Sequence, residues 1–245
     1  MEIRYVGGPT AVLEIGGVRL LTDPTFDPPG DYPIGNRALT KTAGPAFGLD
    51  EVGPVDAVLL SHDQHPDNLD TAGRAFLAAA PLALSTGSAA ERVGPPVRAL
   101  PAWTSVDVGD VRVTGVPARH GPDGTEHLVG EVTGFVLTGD GLPTVYVSGD
   151  NASLDVVRTI AGRTGPVDVA VLFAGGARTP LVDGYLTLPS DDAATAADIL
   201  GARYVVPLHF EHWAHFTQGR DTVEKAFTAF GSRLRLLAPG ERTRI

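Results

Sequence analysis

The chain has 245 residues, contains no cysteine and carries a formal net charge of −10. The lack of cysteine excludes disulfides and thiolate metal sites, so any metal must be held by His, Asp or Glu side chains. The acidic balance disfavours nucleic acid as a partner, because phosphate backbones are bound by surfaces rich in Lys and Arg.

Length and hydropathy favour one globular domain spanning residues 1–245, with 43% hydrophobic residues available for its core. No stretch approaches the roughly 20 apolar residues that a membrane span needs. Residues 1–4 begin a strand-like pattern and not a signal peptide. We therefore expect a cytoplasmic protein that does not bind membranes.

Three short strands are predicted at the start of the chain, at residues 2–6, 10–15 and 18–22. A loop rich in proline and glycine follows, from Asp23 to Pro54. Because it is much longer than an ordinary connection, we expect it to form a lid or the wall of a pocket.

The next segment combines a predicted strand at 55–60 with a predicted helix at 71–80. Between them lies the polar run Ser61-His62-Asp63-Gln64-His65-Pro66-Asp67-Asn68-Leu69-Asp70. Functional residues collect at strand-to-helix turns of α/β sheets. This turn is therefore a predicted metal-binding segment.

The remaining elements are predicted from apolar runs separated by glycine and proline. Strands are expected at 82–85, 97–100, 105–108, 111–116, 134–138, 144–148, 167–173, 204–207 and 233–237, and helices at 153–161, 190–200 and 223–230. The two halves each mix hairpin strands with strand–helix alternation. This pattern predicts a mixed α/β fold of two face-to-face sheets with helices outside.

Potential metal ligands follow four of the predicted strands. They are His62 with His65 and Asp67, then His120, then Asp150, and finally His209. A single histidine at a strand end is more often a hydrogen-bonded structural residue than a ligand. Independent structural histidines, however, have no reason to follow successive strand ends at one edge of a sheet, so the set predicts a metal centre.

These motifs resemble those of the metallo-β-lactamase-fold hydrolases, and most closely the ascorbate-6-phosphate lactonase-like branch. Five segments carry the resemblance. The first is a hairpin that ends in Asp23-Pro24, and the second is the Ser61-His62-Asp63 stretch, which is similar to an H-x-H-x-D-H signature. The others are Pro117-Ala-Arg-His120, Ser148-Gly-Asp150 and Val206-Pro-Leu-His209. The resemblance runs nearly end to end. It implies a four-layer αββα sandwich with a metal site at one edge.

The resemblance also implies the cofactor and the ligand roles. One or two divalent transition metals are expected, zinc first, with manganese or iron as alternatives. The implied ligands are His62, His65 and His120 for a first metal, and Asp67, Asp150 and His209 for a second, with Asp150 able to bridge both. A metal-bound hydroxide would be the nucleophile.

Asp67 and His215 are the predicted catalytic residues. His215 follows His209 closely, and we expect it over the pocket as a substrate contact or a proton donor. The alternative is that this segment starts a polar helix with Trp213 and Phe216 packed inward. His127 is expected on an exposed loop.

The signature is altered at two positions of the polar turn. Gln64 stands where the second histidine is expected, and the next imidazole comes one residue later, at His65; a one-residue insertion would reconcile the spacing. Asn68 replaces the last histidine, so a single-metal site is as compatible with the sequence as a two-metal site. A third departure is Gly7-Gly8-Pro9, where the branch often has a histidine.

Four polar residues near these ligands, Asp23, Asp63, Asn68 and Asn151, are predicted to orient ligand imidazoles through hydrogen bonds. Gly175-Gly176 is expected to be a plain turn and not a phosphate-binding loop.

The leading hypothesis is a metal-dependent hydrolase of a small-molecule ester, lactone, amide or phosphoester. One alternative is a degenerate member that serves as a non-catalytic binding or scaffold protein, given Gln64 and Asn68. A further alternative is a phosphodiesterase or nuclease, which the acidic charge disfavours. A homo-oligomer is an expectation from the resemblance alone.

Overall fold

The computed structural model describes residues 1–245 and contains two large β-sheets. The first sheet consists of β1 Glu2–Gly7, β2 Thr10–Ile15, β3 Val18–Thr22, β6 Ala57–Leu59, β7 Ala83–Ser85, β8 Val97–Ala99 and β15 Arg242–Arg244. Its strand order is β15-β1-β2-β3-β6-β7-β8. The β1 to β3 part is antiparallel and the β3 to β8 part is parallel, so this sheet is mixed, as predicted.

The second sheet repeats this combination. It consists of β9 Ser105–Val108, β10 Val111–Pro117, β11 Thr133–Thr138, β12 Val145–Val147, β13 Val169–Phe173 and β14 Tyr204–Leu208. Its order is β14-β13-β12-β11-β10-β9, antiparallel from β9 to β12 and parallel from β12 to β14. β13 is fully buried, β14 is buried except at Tyr204, and both strands are continuously apolar, as expected for strands covered on both faces.

Helices lie on the outer faces of the sheets. They are α1 Leu49–Val52, α2 Thr71–Ala79, α3 Gly87–Val93, α4 Glu126–Val129, α5 Leu154–Thr164, α6 Ser190–Ile199 and α7 Arg220–Ala226, followed by a 3₁₀ helix at Thr228–Arg233. Side chains of Asp70 and Ser153 cap α2 and α5 by accepting bonds from Gly73 N and Val156 N. No helix is both long and apolar enough to cross a bilayer.

Three apolar cores define the layers. The central core joins the inner faces of both sheets, for example Leu13 and Leu20 with Phe135 and Val171. A second core packs α5, α6 and α7 on the second sheet, and a third packs α1, α2 and α3 on the first. The predicted αββα sandwich of two mixed sheets is confirmed.

Two sequence predictions about secondary structure were wrong. The segment from Asp23 to Pro54 is not only a loop: it contains the hairpin β4 Gly30–Ile34 and β5 Arg37–Lys41, joined by a two-residue turn, together with α1. Residues 233–237 do not form the last strand, since only Leu234 bridges to Val205. The last strand is β15, which pairs with β1 and brings the two chain ends together.

Strand ends position the polar residues of interest. His62, His120 and Asp150 each follow shortly after β6, β10 and β12, and His209 directly follows β14. The end of β13 approaches this point closely, because a Cβ atom at Gly175 would lie 2.4 Å from the carbonyl oxygen of His209. Glycine is therefore required there by backbone proximity, in agreement with a structural and not a phosphate-binding role.

Candidate metal centre

Three imidazoles converge at the edge of the sandwich and form what we call the histidine cluster, His62, His65 and His120. His65 Nδ1 lies 2.9 Å from His62 Nε2 and 3.3 Å from His120 Nε2. His62 and His120 are buried and His65 is half-buried. Three ring nitrogens thus point at one common position, as the ligands of a metal ion do.

The outward ring nitrogens of His62 and His120 contact other groups of the protein. His120 Nδ1 lies 2.8 Å from the carbonyl oxygen of Leu186, and His62 Nδ1 lies 3.0 Å from Ser61 Oγ. A carbonyl oxygen can only accept, so His120 carries its proton on Nδ1 and leaves the Nε2 lone pair free. Such contacts fix the tautomer and the orientation of a ligand ring.

Two imidazoles of this cluster, His62 and His65, are kept neutral. Burial, reinforced by the adjacent His120, lowers the pKa of His65 to about 4. Burial together with His65 also lowers the pKa of His62 well below its usual value. Neutral imidazole is the form that binds metals.

A second group, the carboxylate cluster, consists of Asp67, Asp150 and His209. His209 Nε2 lies 3.4 Å from Asp67 Oδ2 and 3.4 Å from Asp150 Oδ1. All three residues are buried. Asp150 is shared, because its carboxylate also lies within 4.8 Å of the ligand atoms of the histidine cluster.

This second group requires a positive charge. Burial alone would raise the pKa of Asp150, but the neighbouring His209 outweighs it and holds the pKa below its usual range. Burial would lower the pKa of His209, but Asp150 and Asp67 raise it to about 10. Two buried carboxylates therefore demand a cation, which a proton on His209 or a metal ion can supply.

Orphaned polar atoms support the same assignment. Asp67 Oδ1 and both ring nitrogens of His209 are buried and have no hydrogen-bond partner. Buried polar atoms are nearly always paired, and a missing ion is one of the few explanations for such a group. The donor set, with only nitrogen and oxygen atoms, fits a divalent transition metal.

His65, and not Gln64, is the residue after His62 whose side chain faces the histidine cluster. His65 begins a turn in which its carbonyl oxygen accepts bonds from Asn68 N and Leu69 N, at 3.1 and 3.0 Å, and its ring faces His62 and His120. Gln64 lies in the wall of the adjacent pocket. The altered spacing therefore leaves the three-imidazole arrangement intact.

His215 lies beside the carboxylate cluster. Its Nε2 is 3.0 Å from Asp67 Oδ2, and its side chain is 14% exposed, so it reaches the solvent side of the site. The segment around it is a series of turns and not the start of a helix, although Trp213 is packed inward. His215 is thus the imidazole placed between the clusters and the pocket.

The four predicted orienting residues act differently from the prediction. Asp23 Oδ1 accepts a bond from Ser61 N at 2.6 Å and so fixes the backbone before His62. Asp63 turns away and pairs with Arg92, while Asn151 bonds only to backbone groups. Asn68 donates to Asp150 Oδ1 at 3.0 Å, so it holds a carboxylate and not an imidazole.

A pocket of about 380 Å³ opens onto these groups. Its floor includes His65, His120, Asp67, Asp150 and His215, and the remaining walls come from the β4–β5 hairpin, α4 and residues 177–186. His127, on exposed α4, belongs to the rim and not to the clusters. The volume is that of a site for a small molecule.

The sequence predicted a lid or pocket wall for the segment from Asp23 to Pro54, but not that a hairpin forms it, and not the role of the Leu186 carbonyl. The Gly35-Asn36 pair lies between two short segments that pair as strands, and a glycine–asparagine pair in such a place is a sequence signal for a hairpin turn. A backbone carbonyl that reaches His120 from 66 residues away has no sequence signal.

Comparison with known families identifies the superfamily of the chain. Residues 18–210 match the model of the "Beta-lactamase superfamily domain". A "UPF0173 metal-dependent hydrolase" of Pyrococcus abyssi is 24% identical over 98% of both chains. The similarly named protein of Pyrococcus furiosus is 28% identical over 134 residues, and this alignment spans only 55% of each chain.

Solved structures share the fold. A possible metal-dependent hydrolase from Veillonella parvula superposes with a TM-score of 0.88 at 18% identity, over 100% of this chain and 99% of that one. An isothiocyanate hydrolase from Delia radicum gut bacteria superposes with a TM-score of 0.85 at 21% identity, over 100% of this chain and 99% of that one. CmlA, a diiron β-hydroxylase from Streptomyces venezuelae, gives 0.73 at 17% identity over 100% of this chain and 54% of its own.

The family model matches residues 18–210, which is most of the chain. The chain therefore belongs to the β-lactamase superfamily, among its metal-dependent hydrolases.

Proposed function

We propose that the protein hydrolyses a small ester, lactone, amide or phosphoester at the joined histidine and carboxylate clusters, with residues 1–245 acting as one hydrolase domain. The observation that carries the proposal is the convergence of three imidazoles and two buried carboxylates on the floor of a small pocket. A divalent metal there would supply a nucleophilic water near neutral pH and polarise the attacked oxygen. Zinc is the first expectation, with manganese or iron as alternatives.

The protein side chains have separate tasks in this proposal. His62, His65 and His120 would hold one ion, and Asp67, Asp150 and His209 a second, with Asp150 between them. Asn68 orients Asp150 by donating to its Oδ1 atom. All six side chains lie in the loops that follow the ends of β6, β10, β12 and β14, so the strand ends bring them to one edge of the sandwich.

His215 is the proposed proton donor to the leaving group. It lies in the pocket, contacts Asp67 through Nε2 and has Nδ1 free of hydrogen bonds. The Asp67 carboxylate lies 3.0 Å from His215 Nε2 and so fixes the orientation of the imidazole ring. Asp67 thus serves both the carboxylate cluster and the orientation of the acid.

Catalysis is favoured over the alternative of a non-catalytic binding protein. His65 takes the place in the histidine cluster that the signature gives to the residue at Gln64, and Asn68, which stands where the signature has its last histidine, donates to the carboxylate of Asp150. A nuclease is disfavoured by the net charge of −10 and by a pocket of about 380 Å³.

The test is a metal-dependence assay on a small substrate panel. Protein freed of metal with a chelator is reloaded with Zn²⁺, Mn²⁺ or Fe²⁺ and offered an aryl ester, a γ-lactone, an anilide and an aryl phosphodiester. The lactone tests the proposed kinship with the lactonase-like branch, and an isothiocyanate is added because a structural neighbour hydrolyses that group. Turnover that requires metal and is lost in His65→Ala supports the proposal; a protein that takes up no transition metal refutes it.

A further inference from the structure

The β4–β5 hairpin is a firmly anchored wall of the pocket. At its base, Lys41 Nζ lies 3.0 Å from Asp70 Oδ2, and the two side chains are 1% and 0% exposed. Two backbone bonds join the same end to the segment after β14, from Thr42 N to His212 O and from Ala214 N to Thr40 O, at 2.7 and 3.0 Å. The hairpin therefore presents its inward side chains at fixed positions.

Arg37 stands on this wall, directly after the turn of the hairpin. Its Nη1 donates to Thr179 Oγ1 at 2.9 Å, and its guanidinium forms no ion pair with any carboxylate. Arg37 is half-buried and lines the pocket. A guanidinium has five N–H donors, so most of its hydrogen-bonding capacity remains free for a ligand.

The other charged residues that line the pocket do not neutralise the guanidinium of Arg37. Arg178 is paired with Asp183 at 3.3 Å and is 48% exposed. Glu126 is exposed on α4, where solvent screens its charge. Arg37 is therefore a cation without a carboxylate partner at the pocket wall.

The surface between Arg37 and the metal centre is apolar. Leu39 follows Arg37 on the same face of β5, two residues on, and Leu186 lies across the pocket beside His120, whose ring contacts its carbonyl oxygen. A substrate bound there would place a hydrocarbon body against these leucines. Its two ends would meet a guanidinium on one side and the clusters on the other.

We propose that Arg37 binds a free carboxylate of the substrate, so that the natural substrate is a small monoanionic ester, lactone or amide with a short hydrocarbon body. The inference rests on the proposed function of the metal centre. A carboxylate fits because a single guanidinium binds it with two parallel hydrogen bonds and balances its single charge. A phosphate monoester carries more charge, and the wall offers no second unpaired cation for it.

The first experiment measures binding to the metal-free protein by calorimetry. Glutarate is compared with its neutral analogue glutaramide, in the wild type and in Arg37→Gln. Arg98 gives a matched control, since it is an exposed arginine on β8 without an ion pair and far along the first sheet from the pocket wall. Loss of a charge-assisted hydrogen bond predicts about 10- to 100-fold weaker glutarate binding in Arg37→Gln.

The expected pattern is a wild type and an Arg98→Gln variant that prefer glutarate, and an Arg37→Gln variant that does not. Equal binding of glutarate to Arg37→Gln and to the wild type would overturn the inference. So would a wild type that binds glutaramide as well as glutarate. Raising the salt concentration is expected to weaken the glutarate preference.

The second experiment measures turnover with the metal-loaded protein, using 4-nitrophenyl hydrogen glutarate and the neutral 4-nitrophenyl butyrate. The ratio of kcat/KM for the two esters reports the charge preference, and we expect Arg37→Gln to reduce it about 10- to 100-fold. Thr179→Val tests the competing view that Arg37 is only a latch for the hairpin: it removes the bond to Arg37 and keeps the charge. The ratio should survive in Thr179→Val.

The two proposals fail in different ways. If neither ester nor the wider panel is turned over, the proposed function fails, while glutarate binding still decides the role of Arg37. If both esters are turned over and Arg37→Gln slows them equally, the hydrolase stands and the role of Arg37 in carboxylate binding is overturned.

Discussion

The histidine cluster and the carboxylate cluster meet at Asp150 but are built in different ways. In the histidine cluster, burial keeps the rings of His62 and His65 neutral, and His62 and His120 are oriented by Ser61 Oγ and the Leu186 carbonyl oxygen. Its three free nitrogens already point at one position. This cluster is organised for a metal before any metal arrives.

In the carboxylate cluster, two acidic groups share one imidazole. His209 has no hydrogen bond on either ring nitrogen, and the pKa of His209 is raised to about 10 by Asp150 and Asp67. A metal ion that binds to this cluster must displace the proton on His209. This displacement lowers the apparent affinity of the cluster for the metal near neutral pH. The difference between the clusters therefore predicts a tight ion at the histidines and a weaker one at the carboxylates.

The largest effect is expected from Asp150→Asn, which changes the residue that both clusters share. The neutral amide neither balances a cation nor bridges two ions, so metal content and hydrolysis should both fall to background. Elemental analysis of dialysed protein and the ester assay give the two readings. Asp107→Asn, at a carboxylate 61% exposed on β9, is the control and should retain both. A fully loaded Asp150→Asn protein would contradict the shared role.

The next effect separates the two clusters. His120→Ala should abolish binding of the tight ion together with activity, whereas His209→Ala should lose only the weaker ion and retain one equivalent. Zinc uptake is followed by equilibrium dialysis over a range of free zinc concentrations, with folding checked by circular dichroism. If His209→Ala loses both ions and His120→Ala loses one, the assignment of tight and weak sites is reversed.

A smaller effect is expected at His215, which contacts the carboxylate cluster from the pocket side. His215→Gln removes the proposed proton donor, and general-acid catalysis predicts a decrease in kcat of about 10²- to 10⁴-fold with full metal content. The matched control is His127→Gln on exposed α4. Loss of metal from His215→Gln would show that this imidazole holds the site together and is not an acid.

The smallest effect is expected at Asn68, which touches the carboxylate cluster only through Asp150. Removing a hydrogen bond to a ligand weakens metal binding by about 10- to 100-fold, so Asn68→Ala should lower the affinity of the weaker ion by that factor. The tight ion at the histidines serves as the internal control and should stay bound. An unchanged second binding step would mean that Asp150 is oriented without Asn68.

The architecture could be predicted from the sequence, and so could the residues that lie together at the edge of the sandwich. The reason is physical. Apolar runs of strand length fix where strands end, and parallel strands place their carboxyl ends at one edge. His120, Asp150 and His209 therefore had to lie near the turn that carries His62 and His65. Their roles as metal ligands stay predictions, which the variants above test.

The hairpin β4–β5 could not be predicted with the same ease. Pro33 interrupts the strand pattern, and neighbouring prolines made the whole region resemble a loop. What holds the hairpin is the buried pair of Lys41 with Asp70, which are 29 residues apart in the chain. Contacts at that separation leave no local pattern, so only the lid or wall role of the segment could be anticipated.

The direction of polar side chains next to the ligands was equally hidden. Asp63 follows His62, yet it faces Arg92 of α3, a helix that the sequence analysis did not predict. Asn68 follows Asp67, yet it bonds to Asp150, which is 82 residues away. Each side chain is aimed by a tertiary partner, and spacing along the chain cannot supply that information.

The central claim, a tight ion at the histidines joined to a weaker one at the carboxylates, is tested most directly by titrating metal-free protein with Zn²⁺ in a calorimeter near neutral pH. Two binding steps are expected, the tighter one missing in His120→Ala and the weaker one missing in His209→Ala. A single step that is unaffected by His120→Ala, or no binding at all, would contradict the account.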